Sequence, residues 1–379
     1  MKKIRSCIIG VGFIGKQHIE TIRRIPNTEV VAISDANEAL AEATAKQLGI
    51  PYYTADYHKL LENAEINVVH NCTPVSLHFS ISKEALLAGK HVYCEKPFTM
   101  NTAQAKELSE LALRCGLLCG VNFNYRQNAM IWEMRERVRS GEVGTLFTVN
   151  ARYLQDWLLY ETDTDWRMDP ALGGDSRAIS DIGSHLFDAM QVVAQQKITA
   201  VNARLITAYP TRKRFEKSGG TFSGAAGGSF ETISVKNEDE AFIMVRFEGG
   251  AHGLCRVSQV CAGRKNAMAV EVEGSRCSLA WNQERPDRLW VGRRDTPNEM
   301  VYADKKFLTG RAKELSYLPA GHPLGWQDAL KNAIEAFYTA VRREKAGPQN
   351  YATFADGAYV MQIIDACLKS NSAGQWMEV

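Results

Sequence analysis

The chain has 379 residues, 45 basic against 43 acidic side chains, and a formal net charge of +2. It therefore lacks the basic field that nucleic acid requires, and no Lys/Arg tract is long enough for a membrane patch. A chain of this length exceeds one ordinary core, so two domains of unequal kind are expected.

The opening "MKKIRSCIIGVGFIG" resembles a secretion signal, but Gly10, Gly12 and Gly15 interrupt its apolar stretch and charged "KQHIETIRR" follows. No run approaches the length of a membrane span. The nine cysteines are odd in number and lie mostly inside apolar runs, and the lone "CGLLC" lacks the second pair of a zinc site. A cytoplasmic protein with buried free thiols is expected.

From residue 3 to about 125, short apolar runs ("IRSCIIG", "TEVVAIS", "INVVHNC", "KHVYCE", "LLCGVNF") alternate with segments of helical spacing. Strand-helix alternation of this kind predicts a parallel sheet with helices on both faces. The first unit reads strand, Gly10-x-Gly12-x-x-Gly15, helix. Gly10 permits a tight turn, Gly12 lets the backbone approach a pyrophosphate, and Gly15 lets the helix pack close. The second strand ends on Asp35, about 20 residues past the last glycine, where an acid accepts hydrogen bonds from ribose hydroxyls. That carboxylate repels a 2′-phosphate, and no basic residue follows in "SDANEAL", so NAD is preferred over NADP.

A later strand stops on Glu95-Lys96-Pro97 in "HVYCEKPFTM". Taken alone, these fit a solvated loop in which proline ends the strand.

After about residue 140, longer β-type runs follow one another: "TLFTVNARYLQ", "AVNARLITAY", "AFIMVRF", "AHGLCRVSQV", "AMAVEVEG" and "RCSLAWN". Gly-bearing turns join them, predicting a largely antiparallel sheet. Helices near 326–343 and 353–369 either cover that sheet or pack back on the first domain. The Gly/Ser-rich segment at 217–230 reads as a mobile loop. In "SDIGSHLFD", Asp181 and His185 are four apart and share a helix face. The spacing fits a capping Asp181 and a packed His185 as well as it fits chemistry. Two such residues without a third do not make a metal site.

With the glycine fingerprint, "NCTPVSLH", "CEKP", "VNFNYR", "DWR" and "SDIGSHLFD" in this order, the chain resembles the glucose-fructose oxidoreductase / inositol dehydrogenase / rhizopine-catabolism (Gfo/Idh/MocA) family over essentially its whole length. The resemblance implies an α/β plus α+β architecture. Residues 1–125 form a Rossmann NAD-binding domain, and residues 126–379 a domain with a large open, mostly antiparallel sheet through which homodimers or homotetramers assemble. It implies a cis bond before Pro97. It makes Lys96, Asp181 and His185 catalytic in one cleft. Cofactor contacts are implied for Gly10, Gly12, Phe13, Ile14, Gly15, Asp35, Asn71, Thr73, Pro74, His78, Glu95, Lys96, Asn124 and Arg126. Substrate contacts are implied for Trp166, Arg167, Arg177, Asp181 and His322.

Several of these positions keep a second reading. Many relatives carry glycines where this chain has Ser176 and Arg177, so Arg177 either contacts substrate or braces its loop. Trp166 and Arg167 also fit a stacked surface pair, and His322 a plain loop histidine. The expected reaction is NAD-dependent oxidation of a ring secondary hydroxyl of a sugar or glycoside, first at C3 of a glucoside to give a 3-oxo-sugar. His185 suits the proton step, and the Lys96 ammonium the developing alkoxide. A cyclitol or aldose C1 dehydrogenase is the alternative. Further off stand an NAD-using glycosidase, which usually lacks the lysine, and a non-catalytic sensor.

Overall fold

The computed structural model describes residues 3–215, 228–343 and 349–379. The Gly/Ser-rich stretch at 217–230 lies outside these residues except for its last three. Two compact units emerge, Met1–Phe123 with Leu330–Met361, and Asn124–Ala329 with Gln362–Val379.

The first unit alternates strands and helices: β1 Ile4–Ile9, α1 Phe13–Arg23, β2 Thr28–Ser34, α2 Glu38–Leu48, β3 Tyr52–Thr54, α3 His58–Glu62, β4 Val68–Asn71, α4 His78–Leu87, β5 His91–Cys94, α5 Thr102–Cys115 and β6 Cys119–Val121. The strands pair in parallel in the order β3-β2-β1-β4-β5-β6. Helices on both faces bury the central strands from two sides, so β4 is buried along its whole length and β1 at every residue but Arg5. Local sequence sets the helix ends. Asn37 and Asn101 cap α2 and α5 by accepting the Leu40 and Gln104 N–H groups. Gly49 and Gly116 end the same helices at φ 60° and 65°. Strand order reverses between β1 and β4, which leaves a crevice at the carboxyl ends of these strands, where open α/β sheets bind ligands.

The second unit begins with α6 Ala129–Arg139 and β7 Leu146–Leu154, then α7 Pro170–Gly173, α8 Ser184–Ala194, β8 Ile198–Ile206, β9 Thr211–Phe215 and β10 Phe230–Ser234. It continues through β11 Glu240–Phe247, β12 His252–Ser258, β13 Ala267–Gly274, β14 Ser278–Asn282, β15 Arg288–Gly292, β16 Glu299–Tyr302 and α9 Gly310–Leu315. The chain closes with α10 Trp326–Arg343, α11 Phe354–Ala373 and β17 Met377–Glu378. Nine strands form one sheet, ordered β16-β15-β14-β13-β7-β12-β11-β8-β17. All neighbours are antiparallel except β7 and β12, which run parallel. Alternation along β11 buries Ala241, Ile243, Val245 and Phe247, while Phe242 and Met244 stay exposed. Leu254, Trp290 and Met300 are likewise exposed.

A single cut at 125/126 does not describe this arrangement. Leu330–Met361 belongs with the first unit, because the far edge of β6 and the face beside it need a cover. The Val121 N–H donates to the Ala352 carbonyl at 2.9 Å. Phe337 packs on Tyr93 with ring centroids 5.1 Å apart, and Phe354 on Phe98 at 4.3 Å. The end of α11 serves the second sheet instead, where Ser370 Oγ and Asn371 Oδ1 accept the Ala203 and Leu205 N–H groups.

Candidate active site

In the first unit the glycine turn follows β1, and Gly12 caps α1 without a side chain of its own. Gly10 has φ +89°, and a Cβ there would lie 2.6 Å from the Cys72 carbonyl oxygen. A Cβ on Gly15 would lie 2.0 Å from the Gly10 oxygen. These two are required by the fold. Gly12 is not, because a Cβ there would meet nothing within 4 Å. Its bareness opens the helix N-terminus to a phosphate, as a dinucleotide requires. Phe13 is exposed and Ile14 half-buried beside it. Asp35 accepts the Val11 N–H through Oδ2 at 2.9 Å and the Asn37 N–H through Oδ1 at 3.0 Å. The carboxylate thus ties the end of β2 to the glycine turn.

Several positions expected at the cofactor serve the scaffold beneath it. Asn71 is fully buried; it donates to the His78 carbonyl and Ser82 hydroxyl, and accepts from the Thr73 hydroxyl at 2.7 Å. Pro74 opens the short helical turn that leads into α4. His78 is also buried, its ring nitrogens each 2.9 Å from a carbonyl, of Pro97 and of Thr73. It links the β4 and β5 ends as a strut. Burial lowers its pKa, against the raising effect of those two carbonyls.

The Lys96–Pro97 bond is cis, and Lys96 is half-buried. Glu95 turns inward. Its Oε1 accepts from His18 Nε2 at 2.9 Å and Asn122 Nδ2 at 2.5 Å, and its Oε2 from the Lys96 N–H at 3.1 Å. Burial alone would raise this carboxyl, but hydrogen bonding and Coulombic attraction from His18, the Lys96 charge and the Asn122 amide bring it down to about 2. Its carboxylate is turned to the interior, where it holds the lysine segment through the Lys96 N–H.

In the second unit Asp181 lies in a π-helical turn, Ile179–Gly183, that runs directly into α8 and His185. Both residues are buried. Gln259 Nε2 donates to Asp181 Oδ2 at 2.8 Å, and Arg167 Nε lies 3.5 Å from Oδ1. Arg167 also bonds Asp165 at 2.8 Å and stacks over Trp166, 4.4 Å from the ring centroid, so the stacked pair and the approach to Asp181 coexist. His185 stands edge-on to Tyr125, centroids 4.8 Å apart. The Tyr125 and Tyr153 hydroxyls are 2.8 Å from each other, and both reach Asn266. Burial pushes Tyr125 up to about 12 and Tyr153 well above the usual phenol value, so both stay neutral and present hydroxyls. Gln259, Tyr125, Tyr153 and Asn266 escape sequence reasoning because they lie on three segments far apart in the chain, with Gln259 and Asn266 at the two ends of the β12–β13 connection.

Other expected positions fall outside this group. Arg177 is fully buried: it pairs with Asp239, and its backbone N–H donates to Glu238 Oε1 at 3.0 Å. Ser176 and Ile179 also donate to that oxygen. Arg177 therefore braces the loop before Asp181, the second of the two roles expected for it. Arg126 forms a two-pronged pair with Asp188 on α8, so its guanidinium is held within the second unit. Asn124 is buried with its amide nitrogen unpartnered among the described residues. His322 is exposed, its ring turned to the Pro319 carbonyl three residues back. Among the described residues, no group of three His, Cys, Asp or Glu side chains is placed to hold a metal, and no helix is long and apolar enough to cross a membrane.

A parallel sheet with a bare glycine turn at its switch point, an acid closing β2 and a lysine at the end of β5 defines an NAD-dependent oxidoreductase. The chain belongs to the Gfo/Idh/MocA oxidoreductase family: the oxidoreductase model with an NAD-binding Rossmann fold matches residues 4–123, and the family's C-terminal domain matches residues 131–280. The levoglucosan dehydrogenase of Pseudarthrobacter phenanthrenivorans is 29% identical over 100% of this chain and 99% of its own length. The D-glucoside 3-dehydrogenase of Escherichia coli is 29% identical over 65% of this chain and 68% of its own. A solved levoglucosan dehydrogenase in complex with NADH and levoglucosan superposes with a TM-score of 0.88, at 26% identity, over 100% of this chain and 99% of that one.

Proposed function

We infer that this enzyme oxidises a ring secondary hydroxyl of an uncharged sugar or glycoside, with C3 of a glucoside as the first position. The observation that carries the reading is the polar wall of the second unit, where Asp181 is held by Gln259 and Arg167 beside His185. Neutral hydroxyls of Tyr125 and Tyr153 add to it. Donors and acceptors without a surplus of positive charge suit vicinal hydroxyls better than a phosphate. The relatives named for levoglucosan and for D-glucoside 3-dehydrogenation support it. In levoglucosan one bridging oxygen joins C1 to C6, so only ring secondary hydroxyls are free.

NAD, when bound, accepts the hydride. His185 takes the hydroxyl proton, and the Lys96 ammonium stabilises the oxygen as negative charge develops. Asp181, its carboxylate fixed by two donors, orients the sugar through a neighbouring hydroxyl or fixes His185. The exposed Phe242, Met244, Leu254, Trp290 and Met300 of the second sheet form the face through which two copies pair. Nine free thiols suit a reducing cytoplasm.

The test is NAD reduction by the purified protein with levoglucosan, methyl glucosides, glucose and myo-inositol, with product masses. Deuterium at C3 of the oxidised glycoside is expected to appear in NADH. Brisk NADH formation with the label retained moves the reaction to another carbon, and activity confined to inositol replaces the glycoside reading with a cyclitol dehydrogenase.

A further inference from the structure

Beneath Lys96 lies a chain of polar groups closed off from solvent. Ser6, His18, His70 and Tyr338 have essentially no exposed surface, and Glu95 and Asn122 almost none. Reading inward from the lysine, Glu95 Oε2 accepts the Lys96 N–H, and Oε1 accepts His18 Nε2–H at 2.9 Å. His18 Nδ1 faces His70 Nδ1 at 2.9 Å, His70 Nε2 lies 2.7 Å from the Tyr338 hydroxyl, and that hydroxyl lies 2.5 Å from Ser6 Oγ. Asn122, which also donates to Glu95, is itself oriented by the Tyr93 hydroxyl at 3.0 Å. The links come from β1, α1, β4, β5, the end of β6 and α10, all within the first unit. A buried carboxylate without partners is costly, and a structural core has no need of one. Here every Glu95 oxygen is met. Two imidazole nitrogens that face each other at 2.9 Å share one proton, and the Glu95 carboxylate, which can only accept, requires a proton on His18 Nε2.

We propose that Glu95 and His18 are positioning residues for Lys96, with His70 and Tyr338 anchoring them. The carboxylate grips the backbone N–H of the lysine, and the histidine pair fixes the carboxylate. This rests on the assignment of Lys96 to the reacting oxygen. The consequence is that a hydroxyl on α10, far along the chain, supports the group expected to act on substrate.

The experiment is a double-mutant cycle. Glu95→Gln keeps the shape of the side chain. Its amide has one oxygen, however, and cannot accept from both His18 with Asn122 and the Lys96 N–H unless a donor is turned against a donor. With the glycoside that the parent oxidises, kcat is expected to fall roughly tenfold or more while NAD affinity stays within about threefold. In a Lys96→Met background the same change is expected to cost less than about twofold. His18→Gln, which restores an amide donor toward Glu95, is expected to retain more activity than His18→Leu. Tyr338→Phe removes one hydroxyl only; if Glu95→Gln does not fold, it carries the same test, with a drop of a few-fold that vanishes in the Lys96→Met background. An equal loss in both backgrounds overturns the proposal and leaves these residues as packing. Full turnover in Lys96→Met itself overturns the assignment of the lysine, a different outcome that is read first.

Discussion

Asp35 carries two loads. Its carboxylate closes the second strand where a ribose is expected, and it holds the Val11 N–H of the glycine turn at 2.9 Å. Asp35→Ser removes the negative charge facing a 2′-phosphate but also loosens that turn. The expected result is a rise of roughly tenfold in KM for NAD together with a gain in NADP use, so that the preference narrows from both sides. Parallel titrations of the two cofactors measure it; a parent that already prefers NADP would sink the reading. At this scale the sequence is legible where a residue's type is dictated by backbone geometry, as at Gly10 and Gly15, or by charge, as at Asp35. It is silent where a polar residue is buried for support. Arg177, His78 and Glu95 lie in segments expected near a site, and their side chains turn to Asp239, to backbone carbonyls and to His18. Burial of a charged side chain follows from tertiary partners tens of residues away, and no local pattern announces it.

Elements meet at Glu95, and their assembly is expected to depend on its charge. Its carboxyl titrates at about 2 in the folded protein against 4.5 in an unperturbed chain. The unfolded chain therefore takes up the proton first as pH falls. Stability from this group is fully present above about pH 4.5 and is lost progressively toward pH 2, a change on the order of a few kcal/mol. Urea unfolding across that range is expected to show Glu95→Gln losing its deficit relative to the parent as the medium becomes more acidic. A constant difference across the range would mean that the carboxylate is not held as described. Most elements follow from periodicity: the strands β1, β2, β4 and β5 and the helices α1, α2, α4 and α5 stand where apolar runs and helical spacing put them. The three-residue β3 and the late β15 and β16 are too short or too polar to stand out. The π-helical turn before His185 has no sequence signal, since the spacing of Asp181 and His185 fits an ordinary helix equally well. The parallel β7–β12 pair is a matter of connection order, which strand composition does not encode.

On the scale of the molecule, the order of the two sheets is readable from the change of rhythm near residue 140, but the division of the chain is not. Helix α10 is amphipathic and α11 apolar over most of its surface whichever unit they cover, and only the structure assigns Leu330–Met361 to the first. A fragment of residues 1–125 is therefore expected to lack a cooperative thermal transition, because Tyr93, Phe98 and the Val121 N–H lose Phe337, Phe354 and the Ala352 carbonyl. Joining residues 330–361 to it through a flexible linker is expected to restore the transition; a sharp, NAD-sensitive melt for 1–125 alone would contradict this. The same feature bears on birth at the ribosome. The six parallel strands are complete once residue 121 has emerged, yet the carbonyl that pairs with β6 belongs to residue 352. While the intervening chain is still being made, the nascent sheet keeps an open edge and bare aromatic rings. This is the interval in which a holding chaperone would find its binding site, and in which a stalled chain is most exposed to edge-to-edge association.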